Sequence, residues 1–234
     1  SSDLSTTTTV LPALRVAATR LATRRIASMS ATDEPPYFCT TSAMVLLLGP
    51  SALPPRAVDR HGPPTRRFLS TQVIEVYVDE NAHLELNCLE ETHFKNTRVS
   101  NVYIEQQANS RVNHNVITLH NGVTRNRLDL VFKGEGAECH CNGCVVADKQ
   151  QHVDNNTLID HQVPHCTSNE LYKYVLNDHA VGAFAGRVLV RQEAQKTSSQ
   201  ETNQNLCAAK TARMYTQPML EIYADDVKCA HGST

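Results

Sequence analysis

The chain has 234 residues, 41% of them hydrophobic and 20% charged, an ordinary balance for a globular protein with a sizeable core. Its 22 basic and 24 acidic residues leave a formal net charge of −2, without the positive surplus that a phosphate backbone demands, so no nucleic-acid partner is expected. The longest apolar run, Ala43 to Leu48, falls far short of the roughly 20 residues of a membrane-spanning helix, so no membrane span is expected either.

The first 67 residues differ from the rest. They hold eight of the ten prolines, including the pairs Pro35-Pro36, Pro54-Pro55 and Pro63-Pro64, and are read as an irregular segment because proline fixes φ and removes a backbone donor. Residues 1–30 are rich in Ser and Thr, carry Arg15, Arg20, Arg24 and Arg25, and have Asp3 as their only acid. That is the composition of an organellar transit peptide, with a non-native stretch as the alternative. The eight cysteines sit in a long chain with no recognisable secretory leader, which points to free thiols in a reducing compartment.

From Gln72 onward, short runs alternate between apolar and polar residues, the pattern of strands with one buried face. Ile74, Val76 and Val78 form the first, Leu84, Leu86 and Cys88 the second, Leu128, Leu130 and Phe132 a third, and Leu220, Ile222 and Ala224 the last. Turn-forming clusters follow: Asp79-Glu80-Asn81, Asn121-Gly122, Gly134-Glu135-Gly136, Asn142-Gly143 and Asn177-Asp178. Only Ser168 to Leu176 reads as helical, with Ser168 as cap. The pattern therefore predicts an all-β domain over 68–234, leaving sandwich, barrel and β-helix open; strict repeats are not visible.

Several clusters suggest chemistry. Cys139-His-Cys-Asn-Gly-Cys144 contains the ligand types of zinc or an iron-sulfur cluster, but strand alternation turns Cys139 and Cys141 inward and His140 outward, which favours a structural role. Gly134-Glu-Gly136 lacks the third glycine of a dinucleotide fingerprint, and no phosphate-binding loop of the Gly-x-x-x-x-Gly-Lys-Ser/Thr type occurs, so no nucleotide is expected on this chain. His152, His161 and His165, with Asp154 and Asp160, are read as surface or coil-stacking residues. Cys229 and His231, two apart on a strand, project to one side about 6 to 7 Å apart and suit a shared ligand. Asp225, Asp226 and Lys228 surround them with charge, and Lys228 or a protonated His231 is expected to favour the Cys229 thiolate. Burial of Cys229 beside Val227 is the competing structural reading.

The segments Phe184-Ala-Gly-Arg-Val-Leu-Val-Arg191, Ala194-Gln-Lys-Thr197, Thr202-Asn-Gln-Asn-Leu206 and Leu220-Glu-Ile-Tyr-Ala-Asp-Asp-Val-Lys-Cys-Ala-His-Gly232, in this order and spacing, resemble the SufB/SufD family of iron-sulfur cluster assembly proteins, and most its SufD branch. Gly134 to Glu138, Gln151 to Thr157 and Asp160 to His165 extend the likeness upstream. The resemblance implies a right-handed parallel β-helix, a single-stranded solenoid that ends in a small helical domain binding the SufC ATPase. It also implies pairing with SufB through the last coils of the β-helix. By the same likeness Cys229 and His231 lie at the SufB interface, where a transient iron-sulfur cluster forms. The sequence is accordingly expected to be an incomplete member, lacking the final coil and the SufC-binding helices after Thr234.

The implied function is a non-enzymatic scaffold of the SufB-SufC-SufD complex, with a SufB-like main cluster scaffold as the alternative. Less favoured is a polysaccharide-degrading β-helix enzyme using carboxylates on an outer groove. The expected location is the bacterial cytoplasm, or the plastid stroma if the first residues are a transit peptide.

Overall fold

Alternation of apolar and polar side chains stabilises a strand only if its apolar face meets another surface, and here that surface is a second sheet of the same winding chain. The computed structural model describes residues 37–48, 57–59, 68–91 and 94–234; the transit-like composition of residues 1–30 lies outside them. Fourteen strands are present: β1 (Tyr37–Leu48), β2 (Ala57–Asp59), β3 (Phe68–Val78), β4 (His83–Glu91), β5 (Asn96–Gln106), β6 (Arg111–His120), β7 (Val123–Phe132), β8 (Glu138–Ala147), β9 (His152–His161), β10 (Thr167–Leu176), β11 (Val181–Val190), β12 (Ser198–Cys207), β13 (Arg213–Ile222) and β14 (Lys228–Ser233). Odd strands form one seven-stranded sheet in the order β1-β3-β5-β7-β9-β11-β13, and even strands the other, β14-β12-β10-β8-β6-β4-β2. The pairs within both sheets are parallel. Each coil thus adds one strand to each sheet, which is a parallel β-helix with roughly thirty residues per coil.

Two strands, β1 and β2, fall within the stretch read as irregular. The proline pairs at 35–36, 54–55 and 63–64 come shortly before β1, β2 and β3 in the sequence, where a missing amide donor is tolerated. Ser168 to Leu176 is not a helix. It lies in β10, because Ser168, Glu170, Tyr172, Tyr174 and Leu176 alternate inward between β8 and β12. Asn142-Gly143 is not a turn but the middle of β8. Asn142 extends an outward ladder in which Asn115 donates to Asn87 (2.8 Å) and Asn142 to Asn115 (2.9 Å). A Cβ at Gly143 would lie 2.1 Å from the Tyr172 ring, so glycine there makes room for the aromatic of the next coil.

The true turns also stack. Asn81, Asn109, Gly136, His165 and Lys196 all have positive φ, and Asn81, Asn109, His165 and Lys196 donate their amides to Ala108, Glu135, Gln195 and Asp226 on the following coil. Left-handed backbone is accessible to Asn81, Asn109 and Gly136 at little cost, while His165 and Lys196 adopt it at a greater one, and at all five positions the chain turns from the odd to the even sheet.

Inward columns are read directly from the register. In the odd sheet Val76, Ile104, Leu130, Ile159 and Val188 succeed one another, each at most 2% exposed. Fully burying such a side chain stabilises by about 1.5–3 kcal/mol. Ile74, Val76, Leu84, Leu86, Leu128 and Leu130 are buried as the alternation predicts. Leu220 and Ile222 continue the inward columns of Val188 and Val190, as the alternation predicts, and on β13, the last described strand of its sheet, Leu220 is partly buried and Ile222 41% exposed. The even sheet changes character along the helix: its inward residues begin as Leu84 and Leu86 and become Ser168 and Glu170, then Ser199, Glu201 and Asn203.

Candidate functional site at the last coil

The strand β14 carries Lys-Cys-Ala-His-Gly-Ser over Lys228–Ser233. It pairs with β12 through Ser199↔Cys229 and Glu201↔His231 and is the outermost strand of the even sheet. Cys229 and His231 therefore continue two inward columns at the end of the helix. One runs Leu84, Val112, Cys139, Ser168, Ser199, Cys229; the other runs Leu86, His114, Cys141, Glu170, Glu201, His231. The first is a structural position as much as a chemical one: Cys229 packs, partly buried, with Val227 and Leu220 against Val188, Val190, Ala194 and Ala224. His231 is exposed.

The surrounding charges are arranged differently from expectation. Burial pushes the Cys229 thiol above its usual value, opposed only by a backbone hydrogen bond from Ser199, so neither Lys228 nor His231 activates it. Lys228 projects to the opposite side of the strand from Cys229, as the next residue must. Asp226 is engaged by Lys196 in an ion pair, and its amide is held by Gln195 at 2.9 Å. Asp225 is exposed on the connection between β13 and β14. The arrangement leaves a protonated thiol and an exposed imidazole on one side of β14. Both become metal ligands once a metal displaces the thiol proton.

The other clusters disperse. Cys139 and Cys141 are fully buried within the core and Cys144 is exposed, while His140 faces outward to Glu138 at 2.8 Å. His161 is buried with its ring centroid 4.5 Å from Phe132 and Nε2 2.9 Å from the Ser168 hydroxyl; burial holds it neutral, down to about 4, although Asp160 works the other way. Asp160 is bound by Arg191 through two hydrogen bonds of 3.0 and 2.9 Å. His152 and His165 lie elsewhere, exposed. Among the described residues no three His, Cys, Asp or Glu side chains gather into a metal centre. On the outer face Glu75, Tyr77, Tyr103, Glu105 and Asp129 line a groove of about 250 Å³. Asp129 is clamped there by Arg127 and Glu105 accepts from Gln107, so these carboxylates are committed to neighbours.

Sequence reading missed the buried titratable residues His114, Glu170 and Glu201. His114 is 1% exposed, neither ring nitrogen has a hydrogen-bond partner, and burial lowers it to about 4. Glu170 and Glu201, one coil apart, are 2% and 1% exposed. Burial raises both, Glu170 further because of the Glu201 charge, to about 8 and about 7. The signal was the parity of Glu170 with Tyr172 and Leu176, hidden by the helical reading of that stretch.

No helix among the described residues is long and apolar enough to cross a membrane. Residues 56–234 match the family model described as SUF system FeS cluster assembly, SufBD core domain. An iron-sulfur cluster assembly SufBD family protein of Synechocystis is 31% identical over 74% of this chain and 38% of its own length. The iron-sulfur cluster assembly protein SufD of Escherichia coli is 38% identical over 48% of this chain and 26% of its own length. The chloroplastic protein ABCI7 of Arabidopsis thaliana is 25% identical over 71% of this chain and 35% of its own length. The chain thus spans well under half the length of these relatives. A parallel β-helix that carries the family's motifs in order, and a family model that covers most of the chain, lead to one conclusion: this chain belongs to the SufB/SufD family of iron-sulfur cluster assembly proteins.

Proposed function

We propose that this chain is the β-helix core of a SufD-type subunit, a non-enzymatic scaffold in a SufB-SufC-SufD complex that supports iron-sulfur cluster assembly. The observation that carries the reading is the placement of Cys229 and His231 on one side of β14, in register with Ser199 and Glu201 of β12. A partner β-helix of the SufB type that docks beside this coil meets both side chains. A thiolate and an imidazole at such a junction let a cluster assemble between two subunits and leave when they shift. Iron and sulfide are cargo in this reading.

ATP hydrolysis falls to SufC, held by helices beyond the sequence described here. The 38% identity to the SufD of Escherichia coli over 48% of this chain supports the SufD reading, with a SufB-like main scaffold as the alternative. The location that fits is the bacterial cytoplasm or the plastid stroma, the latter supported by the chloroplastic relative.

The test is complementation of a strain that lacks its own SufD by the complete gene product. Cys229→Ala and His231→Ala are expected to reduce cluster-dependent enzyme activities while the variant still co-purifies with SufB. Normal cluster assembly with both variants would overturn the assignment of this pair.

A further inference from the structure

Apart from Cys229 and His231, the last coils enclose a group of buried oxygen atoms. Glu170 on β10 and Glu201 on β12 are Cα partners on adjacent strands, so their inward side chains stack at the spacing of one coil, about 4.8 Å. All four carboxylate oxygens are buried without a hydrogen-bond partner. Among the described residues no Lys or Arg pairs with either group. From the opposite sheet Thr157, 2% exposed, presents a hydroxyl that is also unpartnered yet close enough to Glu170 to favour its charged form. Its neighbour on the next coil is Gly186. A Cβ at Gly186 would stand 2.0 Å from Glu201 Oε1, so the glycine holds open the space into which that carboxylate reaches.

Five unsatisfied oxygens in one buried neighbourhood are costly unless a proton or a cation compensates them. We propose that Glu170, Glu201 and Thr157 form an interior site for one divalent cation bound through oxygen. Two carboxylates neutralise its charge, and an all-oxygen set suits manganese, magnesium or calcium rather than a thiophilic metal. Cys141, next in the column, is hydrogen-bonded to Cys139, and its soft sulfur is a poor ligand for these hard cations. The proposal does not depend on the SufD reading.

Manganese(II) is the probe. The chelator-stripped full chain, titrated while free manganese is followed by electron paramagnetic resonance, is expected to bind one ion. Glu170→Gln and Glu201→Gln, which keep the shape of the protonated acids, are each expected to weaken binding at least tenfold, and Thr157→Val severalfold. Manganese should also raise the melting temperature of the wild type more than that of Gly186→Ala, whose methyl group displaces the Glu201 carboxylate. Unchanged affinity in both Gln variants, or no binding by the wild type, overturns the site and leaves the pair compensated by protons alone.

Discussion

Acid should unfold this β-helix through its buried histidines, and His114 isolates the effect. The ring lies between Leu86 and Cys141 in its column with neither nitrogen bonded, so the folded protein holds it neutral down to about pH 4. In the unfolded chain it protonates near 6.5. The folded value is the depressed one, so as pH falls the unfolded state takes up its proton first. The stability is fully present above 6.5 and is lost as pH falls through that value towards 4. The gap of about 2.5 pH units corresponds to about 3 kcal/mol. His114→Leu removes the titration and also removes two unbonded polar atoms, so at pH 7 the variant should be as stable as the wild type or more so. Urea unfolding at intervals from pH 7.5 to 4 is the assay. The variant should gain about 3 kcal/mol on the wild type across that range, on the order of 1–3 M in midpoint at the slopes usual for urea. Parallel stability curves for the two proteins would show that His114 is solvated or charged in the folded state, and the reasoning from its burial would fail.

Leu130→Ala, at a fully buried core position, should cost about 2–5 kcal/mol, whereas Ile222→Ala, at a position 41% exposed, should cost under about 1 kcal/mol; equal losses in chemical unfolding would contradict this difference in burial. Gly143→Ala drives a methyl into the Tyr172 ring, which packs 4.8 Å from Phe184 between centroids, and is expected to lower stability by about 1–3 kcal/mol; a melting temperature equal to wild type would refute the packing. A thiol reagent should label Cys144 and Cys207 in the native protein and reach Cys139 and Cys141 only on unfolding, and elemental analysis should find no zinc that Cys139→Ser removes.

The alternation in residues 74–78, 84–88 and 128–132 carried the strand assignments and the inward faces, because a period of two determines which side chains share a face whatever the strand later pairs with. The stacking of Cys139 and Cys141 as core thiols followed from the same parity. What alternation leaves open is the partner. Residues 168–176 fit a helical stripe as well as a strand, and only β8 and β12 on either side decide for the strand. Asn142-Gly143 is a turn by composition, yet the asparagine ladder and the Tyr172 ring of the next coil make it strand. The candidate pair shows the same division. Spacing put Cys229 and His231 on one side, but the half-burial of the thiol and the capture of Asp226 by Lys196 depend on neighbouring coils. Glu170 and Glu201 stand roughly thirty residues apart in sequence and become neighbours through register alone, so a local pattern had no means of bringing them together. Local periodicity specifies direction along one strand, whereas contact between coils is a long-range property of the winding, and in a β-helix most of the chemistry lies between coils.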